Sequence, residues 1–292
     1  MKFSTHILAY NLTDTQVRQV IDNCGPHVDK IYVSYSKVPW TYRHDARSRF
    51  ANTTNIDLFK TTPYANKTVL IPGEWSREED QRNACADAAR RDGMDILFTQ
   101  DADEYYFHAD YETLKKNITD NPGVGYYKTP WCSFWKSWEY RIVDEKSDHI
   151  LGYPEIAINL HRSKFINYRI PSGTYGMCQP ICYHGSFVLT DAQCYEKINT
   201  WGHSHEFDTE QWFKNKWVNW TPNTTDLHPI NPPAWKRAVE HNEYAVDWII
   251  DRYQQLLDIT SAAGKRTFSD KVLAVVDNLS DAVEKDHYIV KI

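Results

Sequence analysis

The sequence has 292 residues and a formal net charge of −6. This acidic balance argues against the basic surface of a nucleic-acid-binding domain and against attraction to an anionic membrane. Hydrophobic residues make up 41% and charged residues 25%, the composition of a globular protein. No apolar run approaches the roughly 20 residues of a membrane-spanning helix, and the N-terminus lacks a signal-peptide pattern. We expect a cytoplasmic protein with free cysteines, no transmembrane segment and no nucleic-acid partner.

Strand-like and helix-like runs alternate over the first third of the chain. Four runs have the apolar character of strands: FSTHILAYN, VDKIYVSYS, NKTVLIP and MDILFTQ. A first helix is predicted between an N-cap at Thr13 and a stop at Gly25. A second is predicted in SREEDQRNACADAARRDG, which begins with a capping-box pair, Ser76 and Glu79. This alternation predicts parallel strands in a doubly wound α/β sheet.

The pattern changes after about residue 122. Bulky and polar residues alternate in GVGYYKTPWCSFWKSWEYRIV and YPEIAINLHRSKFINYRI, which predicts antiparallel strands. Helical patterns follow in TDAQCYEKINTW, DTEQWFKNKWVNW and PAWKRAVEHNEYAVDWIIDRYQQLLD. Because no flexible linker separates these parts, we predict one domain over residues 1–292. It divides into a first half at 1–122, a second half at 123–230 and a C-terminal helical extension at 231–292.

The fourth predicted strand ends in a cluster of acids. Asp101, Asp103 and Glu104 follow the apolar residues of MDILFTQ. Ligands of open α/β sheets bind outside the carboxyl ends of the strands, and acids two positions apart can project toward one ion. Carboxylate oxygens suit Mg²⁺ and Mn²⁺, which also accept phosphate oxygens. The pair therefore predicts a divalent-metal site that holds a diphosphate, and the alternative is a solvated acidic loop.

A helix with an Arg-Asn pair precedes the strand that ends in Asp-x-Asp. The run from Ser76 to Glu104 resembles the corresponding part of family 2 glycosyltransferases and their relatives with the GT-A fold. The topology of the first half also agrees, and the second half resembles the family more loosely. The resemblance implies a GT-A type, mostly parallel sheet with a smaller mixed sheet and C-terminal helices. It also implies that residues 1–122 bind a nucleotide sugar and that residues 123–230 face the acceptor.

The same resemblance implies roles for individual side chains. It implies nucleotide contacts at the tips of the first two strands, in the Arg-Asn pair, at the first acid and at a lysine of a later helix. These residues are Tyr10, Asn11, Ser34, Arg82, Asn83, Asp101 and Lys197. His184, at the end of the predicted strand PICYH, would join Asp101 and Asp103 as a metal ligand. Its alternative is a structural histidine at a strand end. His203 and His205 form a His-x-His pair and are rival ligands.

The implied reaction moves a sugar from a nucleoside-diphosphate sugar to a hydroxyl of a glycan or another acceptor, and we expect it to invert the anomeric carbon. Mn²⁺ or Mg²⁺ would stabilise the leaving diphosphate. An inverting transfer needs a carboxylate base; the candidates are Glu155 and Glu206, and each has a structural salt bridge as its alternative. Three tryptophans are candidates for an acceptor platform or for the core: Trp131, Trp135 and Trp138.

Two other functional classes stay open at this stage. A metal-dependent nucleotidyltransferase or phosphohydrolase also places acids at strand ends, although the chain lacks a glycine-rich phosphate loop. A non-catalytic sugar-binding protein would keep the aromatic residues but would have no need for metal-binding acids. Hydrolysis of nucleotide sugars in the presence of Mn²⁺ separates these classes.

Overall fold

The computed structural model describes residues 1–40, 51–144, 152–201 and 203–241, which form two main β-sheets flanked by helices. The strands are β1 (Phe3–Ala9), β2 (Lys30–Tyr35), β3 (Thr68–Pro72), β4 (Ile96–Thr99), β5 (Glu104–Tyr105), β6 (Tyr126–Lys128), β7 (Trp131–Trp135), β8 (Ser137–Val143), β9 (Glu155–Asn159), β10 (Phe165–Asn167), β11 (Ile170–Pro171), β12 (Tyr175–Met177), β13 (Cys182–Phe187) and β14 (Arg237–Glu240). The α-helices are α1 (Asp14–Cys24), α2 (Glu78–Arg91), α3 (His108–Asp120), α4 (Asp191–Thr200) and α5 (Thr209–Trp212). Short 3₁₀ turns (Gly25–His27, Ile56–Lys60, Ala65–Lys67, Pro232–Ala234) and a π-helical stretch (Phe213–Val218) complete the frame.

The larger sheet has seven strands in the order β12-β6-β9-β4-β1-β2-β3. Strands β3, β2, β1 and β4 are parallel, and β9 runs antiparallel to both β4 and β6. The predicted mostly parallel α/β sheet with a smaller mixed sheet is confirmed. The chain passes from β1 to β2 and β3 on one side and returns to the other side of β1 as β4. This reversal opens a crevice at the carboxyl ends of β1 and β4, where open α/β sheets bind ligands.

Local signals explain where α1 begins but not where α2 begins. Thr13 caps α1 in a capping box with Gln16, as a Thr-x-x-Gln sequence favours. The capping box predicted at Ser76 is wrong, because α2 begins at Glu78 and Arg77 holds its N-cap without a side-chain hydrogen bond. Glu79 instead forms an ion pair with Arg77 at 2.5 Å. The sequence analysis also missed α3, whose buried residues are Tyr111, Leu114 and Ile118.

The smaller sheet supports a second core that is rich in tryptophan. Its five strands lie in the order β14-β8-β7-β13-β5. Trp135 is fully buried and packs against Phe187, Trp212 and Trp217. The segment predicted as helix from Pro233 differs in its described part, because Arg237–Glu240 pairs antiparallel with β8. The rest of the predicted extension, from residue 242 onward, lies outside the described residues.

Two general expectations concern the cysteines and membrane-spanning helices. All six cysteines are free, as predicted, and all six are buried. Within the described ranges, no helix combines the length and the apolar character that crossing a membrane requires.

Candidate functional site

A cavity of about 680 Å³ lies at the crevice between the ends of β1 and β4. One wall is a single face of α4, because residues three and four positions apart lie on the same side of a helix. This face carries Gln193, Glu196, Lys197 and Thr200, with Trp201 following at the end of the helix. The lining also includes Arg82, Asp101 and Asp103. The acids predicted at a strand end therefore do line a cavity.

Asp101 is held by two arginines. Arg82 Nη2 lies 3.2 and 3.1 Å from the two carboxylate oxygens, and Arg169 Nη1 lies 3.2 Å from Oδ2. Burial alone would raise the pKa of Asp101, but Arg82 and Arg169 hold it well below its usual range. Asp101 is therefore a fixed anion whose lone pairs are largely committed to guanidinium groups.

Arg169 is a site residue that the sequence analysis missed. It follows Tyr168, which has a φ of 47° at the turn between β10 and β11. Its guanidinium donates to both oxygens of the fully buried Glu104 at 2.5 and 2.9 Å. It also donates to the backbone carbonyls of Thr99 and Glu155 at 3.0 and 2.8 Å. One side chain thus ties together the ends of β4, β5 and β9. A lone arginine between two short strands forms no motif that reveals this role.

Asp103 faces a lysine on one oxygen and a histidine on the other. Lys197 Nζ lies 2.9 Å from Oδ2 and also donates to the hydroxyl and the carbonyl of Ser186. His184 Nε2 lies 3.7 Å from Oδ1, and its Nδ1 is 3.1 Å from the hydroxyl of Ser133. Burial lowers the pKa of His184 to about 4, with Lys197 and Arg169 acting in the same direction and Asp103 opposing them. The imidazole is therefore neutral near pH 7.

These contacts show which predicted ligands suit a divalent cation. Asp103 Oδ1 and His184 Nε2 face each other at 3.7 Å, close to the ~3 Å between adjacent ligands of an octahedral ion. Lys197 engages only the other oxygen of Asp103, and Ser133 orients the imidazole in the way that outer-shell partners of metal ligands do. Asp101 does not suit direct ligation, because two guanidinium groups already engage it.

The described ranges contain no group of three or more His, Cys, Asp or Glu side chains arranged to hold a metal ion. Asp103 and His184 therefore fit an ion whose remaining positions are filled by water and phosphate oxygens, as Mg²⁺ prefers. The third predicted protein ligand, Asp101, has both of its carboxylate oxygens engaged by Arg82 and Arg169.

Tyr10 and Asn11 follow β1 at its carboxyl end and line the cavity. Asn11 has a left-handed φ of 51°. Its side-chain carbonyl accepts the backbone N–H of Thr53 at 2.7 Å, and its amide donates to Glu196. Burial raises the pKa of Glu196, and the Asn11 amide opposes this rise. No sequence pattern identifies Glu196 as a site residue, because only the folded chain brings α4 to the end of β1.

Ser34 and Asn83 do not line the cavity. Ser34 is fully buried in β2, and its hydroxyl accepts a hydrogen bond from Gln81 at 3.2 Å. Asn83 faces β10, where its amide and carbonyl pair with the backbone of Phe165 at 2.9 and 3.0 Å. Both predicted nucleotide contacts are corrected to packing roles, because these side chains point between elements instead of beyond the strand ends.

The two candidate bases differ in position. Glu155 lines the cavity and forms an ion pair with Lys128 at 3.0 Å. Glu206 does not line the cavity, but its carboxylate lies 2.6 Å from Nδ1 of His203, which does. His205 also lies outside the cavity lining, with Nε2 3.9 Å from Glu206. Neither His203 nor His205 contacts Asp103 among the described ion pairs, so the structure does not bring the rival ligands to the acids.

Only one of the three candidate platform tryptophans reaches the cavity. Trp131 lines it and stacks on His184 with ring centroids 4.1 Å apart. Trp135 faces the second core, and Trp138 packs so closely on Gly185 that an added Cβ there would lie 2.4 Å from its ring. The platform role is therefore corrected for Trp135 and Trp138. Three further tryptophans that the sequence did not indicate also line the cavity: Trp40, Trp201 and Trp235.

Several solved structures are remotely similar to this chain. The chain is 13% identical to residues 1–349 of TarS from S. aureus, with a TM-score of 0.39 and coverage of 89% of this chain and 83% of that one. It is 12% identical to 4-diphosphocytidyl-2C-methyl-D-erythritol synthase from Anaerococcus prevotii DSM 20548, with a TM-score of 0.34 and coverage of 61% and 87%. HddC from Yersinia pseudotuberculosis is 11% identical, with a TM-score of 0.38 and coverage of 62% and 92%.

Two further comparisons concern family models and curated proteins. Residues 246–292, which lie outside the described ranges, match the family model described as the DnaB-helicase binding domain of primase. No curated protein matches the chain. The family match covers a small part of the chain and the structural likenesses are remote, so they assign neither activity nor substrate to this protein.

Proposed function

We propose that this protein is a glycosyltransferase that moves a sugar from a nucleoside-diphosphate sugar to a hydroxyl acceptor with the help of Mn²⁺ or Mg²⁺. One observation carries the proposal: Asp103 Oδ1 and His184 Nε2 face each other beside the ammonium group of Lys197 in a cavity at the sheet crevice. Carboxylate, imidazole and ammonium groups together suit a metal-bound diphosphate. We also propose a cytoplasmic location, which the six free cysteines support.

Each group of the cavity has a distinct proposed task. Asp103 and His184 would hold the cation, which when bound supplies positive charge to the departing diphosphate. Lys197 fixes Asp103 and offers its own charge to a phosphate oxygen at the same place. Arg82 and Arg169 keep Asp101 ionised and immobile, so that it fixes the shape of the cavity wall beside the donor.

The nucleoside is proposed to lie at the end of β1. Tyr10, Asn11 and Trp40 line this part of the cavity, and aromatic faces stack on nucleobases. The acceptor, a glycan or another hydroxyl compound, is proposed to enter from the side of the smaller sheet. We propose a single displacement that inverts the anomeric carbon, which needs one base for the acceptor proton.

Turnover of a donor panel tests this proposal. UDP-, GDP-, ADP-, CDP- and dTDP-sugars are incubated with the protein and Mn²⁺, and the released nucleoside diphosphate is measured with and without EDTA. We expect release from at least one donor, its loss in EDTA and its loss in Asp103→Asn. The control is Asp57→Asn, because the Asp57 side chain is 81% exposed and pairs with Lys60 at 2.6 Å on the surface. Release of pyrophosphate from nucleoside triphosphates would instead identify a nucleotidyltransferase, and no turnover would refute both.

A further inference from the structure

An aromatic compartment lies where α4 ends. We use this name for five half-buried residues that line the cavity: Tyr168, Trp201, His203, His228 and Trp235. The ring centroid of His203 lies 4.4 Å from that of Tyr168 and 5.0 Å from that of Trp201. The ring centroid of His228 lies 4.5 Å from that of Trp235 and 6.4 Å from that of Trp201. The two histidines therefore belong to one group of packed rings.

The compartment begins one helical turn beyond the proposed diphosphate site. Lys197 contacts Asp103, and Trp201 follows it by four positions on the same face of the helix. Four residues advance a helix by about 6 Å, which is close to the width of one sugar ring. A sugar attached to a diphosphate beside Lys197 would therefore face the compartment.

Glu206 fixes the protonation pattern of the His203 ring. Its carboxylate lies 2.6 Å from His203 Nδ1, and an ionised carboxylate can only accept a hydrogen bond. Nδ1 must therefore carry the proton in the neutral ring, which leaves the lone pair on Nε2. No hydrogen bond engages Nε2 within the described part of the chain. His203 thus offers a proton acceptor in the lining of the cavity.

The ring of His228 has the opposite pattern. Its Nδ1 accepts the backbone N–H groups of Ile230 and Asn231 at 3.1 and 3.0 Å. Because these partners can only donate, Nδ1 holds a lone pair and Nε2 carries the proton. Burial lowers the pKa of His228 to about 4, and the nearby His203 acts in the same direction. His228 is therefore a neutral ring that offers a donor to the same cavity.

We propose that the aromatic compartment binds the acceptor as a hydroxyl-bearing ring and that His203, oriented by Glu206, is the base that takes the acceptor proton. A hydroxyl group both donates and accepts, so it can donate to Nε2 of His203 while it or a neighbouring hydroxyl accepts from Nε2 of His228. The faces of Trp201 and Trp235 suit the C–H faces of a sugar. This inference rests on the proposed function.

The transfer step balances with these groups. The acceptor O–H bond breaks, its proton moves to Nε2 of His203, and the oxygen forms a bond to the anomeric carbon. The bond from that carbon to the diphosphate oxygen breaks, and its electron pair leaves on the diphosphate. The carboxylate of Glu206 stabilises the resulting imidazolium, as an acid partner does for a catalytic histidine. The imidazolium then loses its proton to solvent.

The carboxylates of the cavity are less suited to this task. Glu155 is paired with Lys128, Glu78 and Asp101 are paired with Arg82, and Asp103 is paired with Lys197. A cationic partner occupies a carboxylate oxygen that would otherwise be open to the acceptor hydroxyl. Glu196 has only the Asn11 amide as its partner, but it lies at the β1 end beside the proposed nucleoside position. Glu206 therefore acts through His203 in this account and not by direct contact with the acceptor.

The ring patterns can be measured directly. In protein labelled with ¹⁵N-histidine, long-range ¹H–¹⁵N spectra distinguish the two neutral forms, and His203→Gln and His228→Gln assign the signals. We expect the proton on Nδ1 of His203 and on Nε2 of His228. Glu206→Gln should change the His203 signals and leave those of His228 unchanged. A proton on Nε2 of neutral His203 would overturn the proposal whether or not the protein turns over a donor.

The second test measures the rate of donor hydrolysis. Water is the acceptor, and the donor is one that the wild-type protein hydrolyses. His203→Gln should lower kcat by about 10²-fold or more, as loss of a general base does, with the affinity for the nucleoside diphosphate unchanged. Glu206→Gln should lower kcat less, and added imidazole should partly restore His203→Ala. The control, His161→Gln, removes an exposed histidine outside the cavity. Wild-type turnover by His203→Gln would refute the base, whereas a wild-type protein that turns over no donor would refute the proposed function.

Discussion

Replacement of Arg169 by methionine should destabilise the protein strongly, because it leaves a buried acid without its partner. Arg169 makes two hydrogen bonds to Glu104, at 2.5 and 2.9 Å, and Glu104 is fully buried. Removal of one member of a buried ion pair costs about 3–5 kcal/mol. The Arg169 side chain is itself only 13% exposed, so water can replace little of the lost contact. We expect Arg169→Met to lower the free energy of unfolding by about 3 kcal/mol.

A second variant separates the charge effect from lost packing. Glutamine at position 104 removes the charge, so Arg169→Met with Glu104→Gln should recover about half of the loss. Urea unfolding at pH 8, followed by circular dichroism, measures both values. The matched control is Arg162→Met, because Arg162 is exposed. A loss below about 1 kcal/mol, the range of surface ion pairs, would refute the reasoning, as would a double variant no more stable than Arg169→Met.

Two further predictions concern a buried acid and the donor site. Burial raises the pKa of Asp22 to about 7, and Arg18 opposes this rise. The folded state therefore disfavours the ionised carboxylate. As a result, the free energy of unfolding falls as the pH rises from about 4 through 7. Asp22→Asn should therefore raise the melting temperature at pH 8 but not at pH 4, and an equal shift at both values would contradict this. Arg82→Ala should weaken nucleoside-diphosphate binding about tenfold through the loss of hydrogen bonds that fix Asp101. Calorimetry should show no change for exposed Arg91→Ala, and equal affinities of the two variants would refute the role of Arg82.

The sequence predicted the parts of the fold that depend on local signals. The apolar run before Asp101 is a strand, and Thr13 caps α1, because each depends on residues that are close in the chain. The acids also line a cavity, since the carboxyl ends of parallel strands meet at one edge of the sheet. By contrast, β14 resembles a helix in sequence and becomes a strand only by pairing with β8, far away in the chain.

The site was less predictable, because its contacts join distant segments. Arg169 reaches Asp101 across 68 residues, through a hairpin whose docking no local pattern reveals. Trp131 and Trp135 lie in the same short strand and reach different environments, since only the packing of the second sheet decides which one faces the cavity. His203 and His228 become neighbours only after the chain folds around the end of α4.

Binding of Mn²⁺ tests the central claim most directly. The electron paramagnetic resonance signal of free Mn²⁺ is measured as protein is added in the presence of UDP or GDP. We predict that the wild-type protein and Asp57→Asn remove the free signal in the presence of the nucleotide. Asp103→Asn and His184→Ala should each leave most of it, because each removes one of the two proposed ligands. Equal Mn²⁺ binding by the wild-type protein and both site variants would contradict the account.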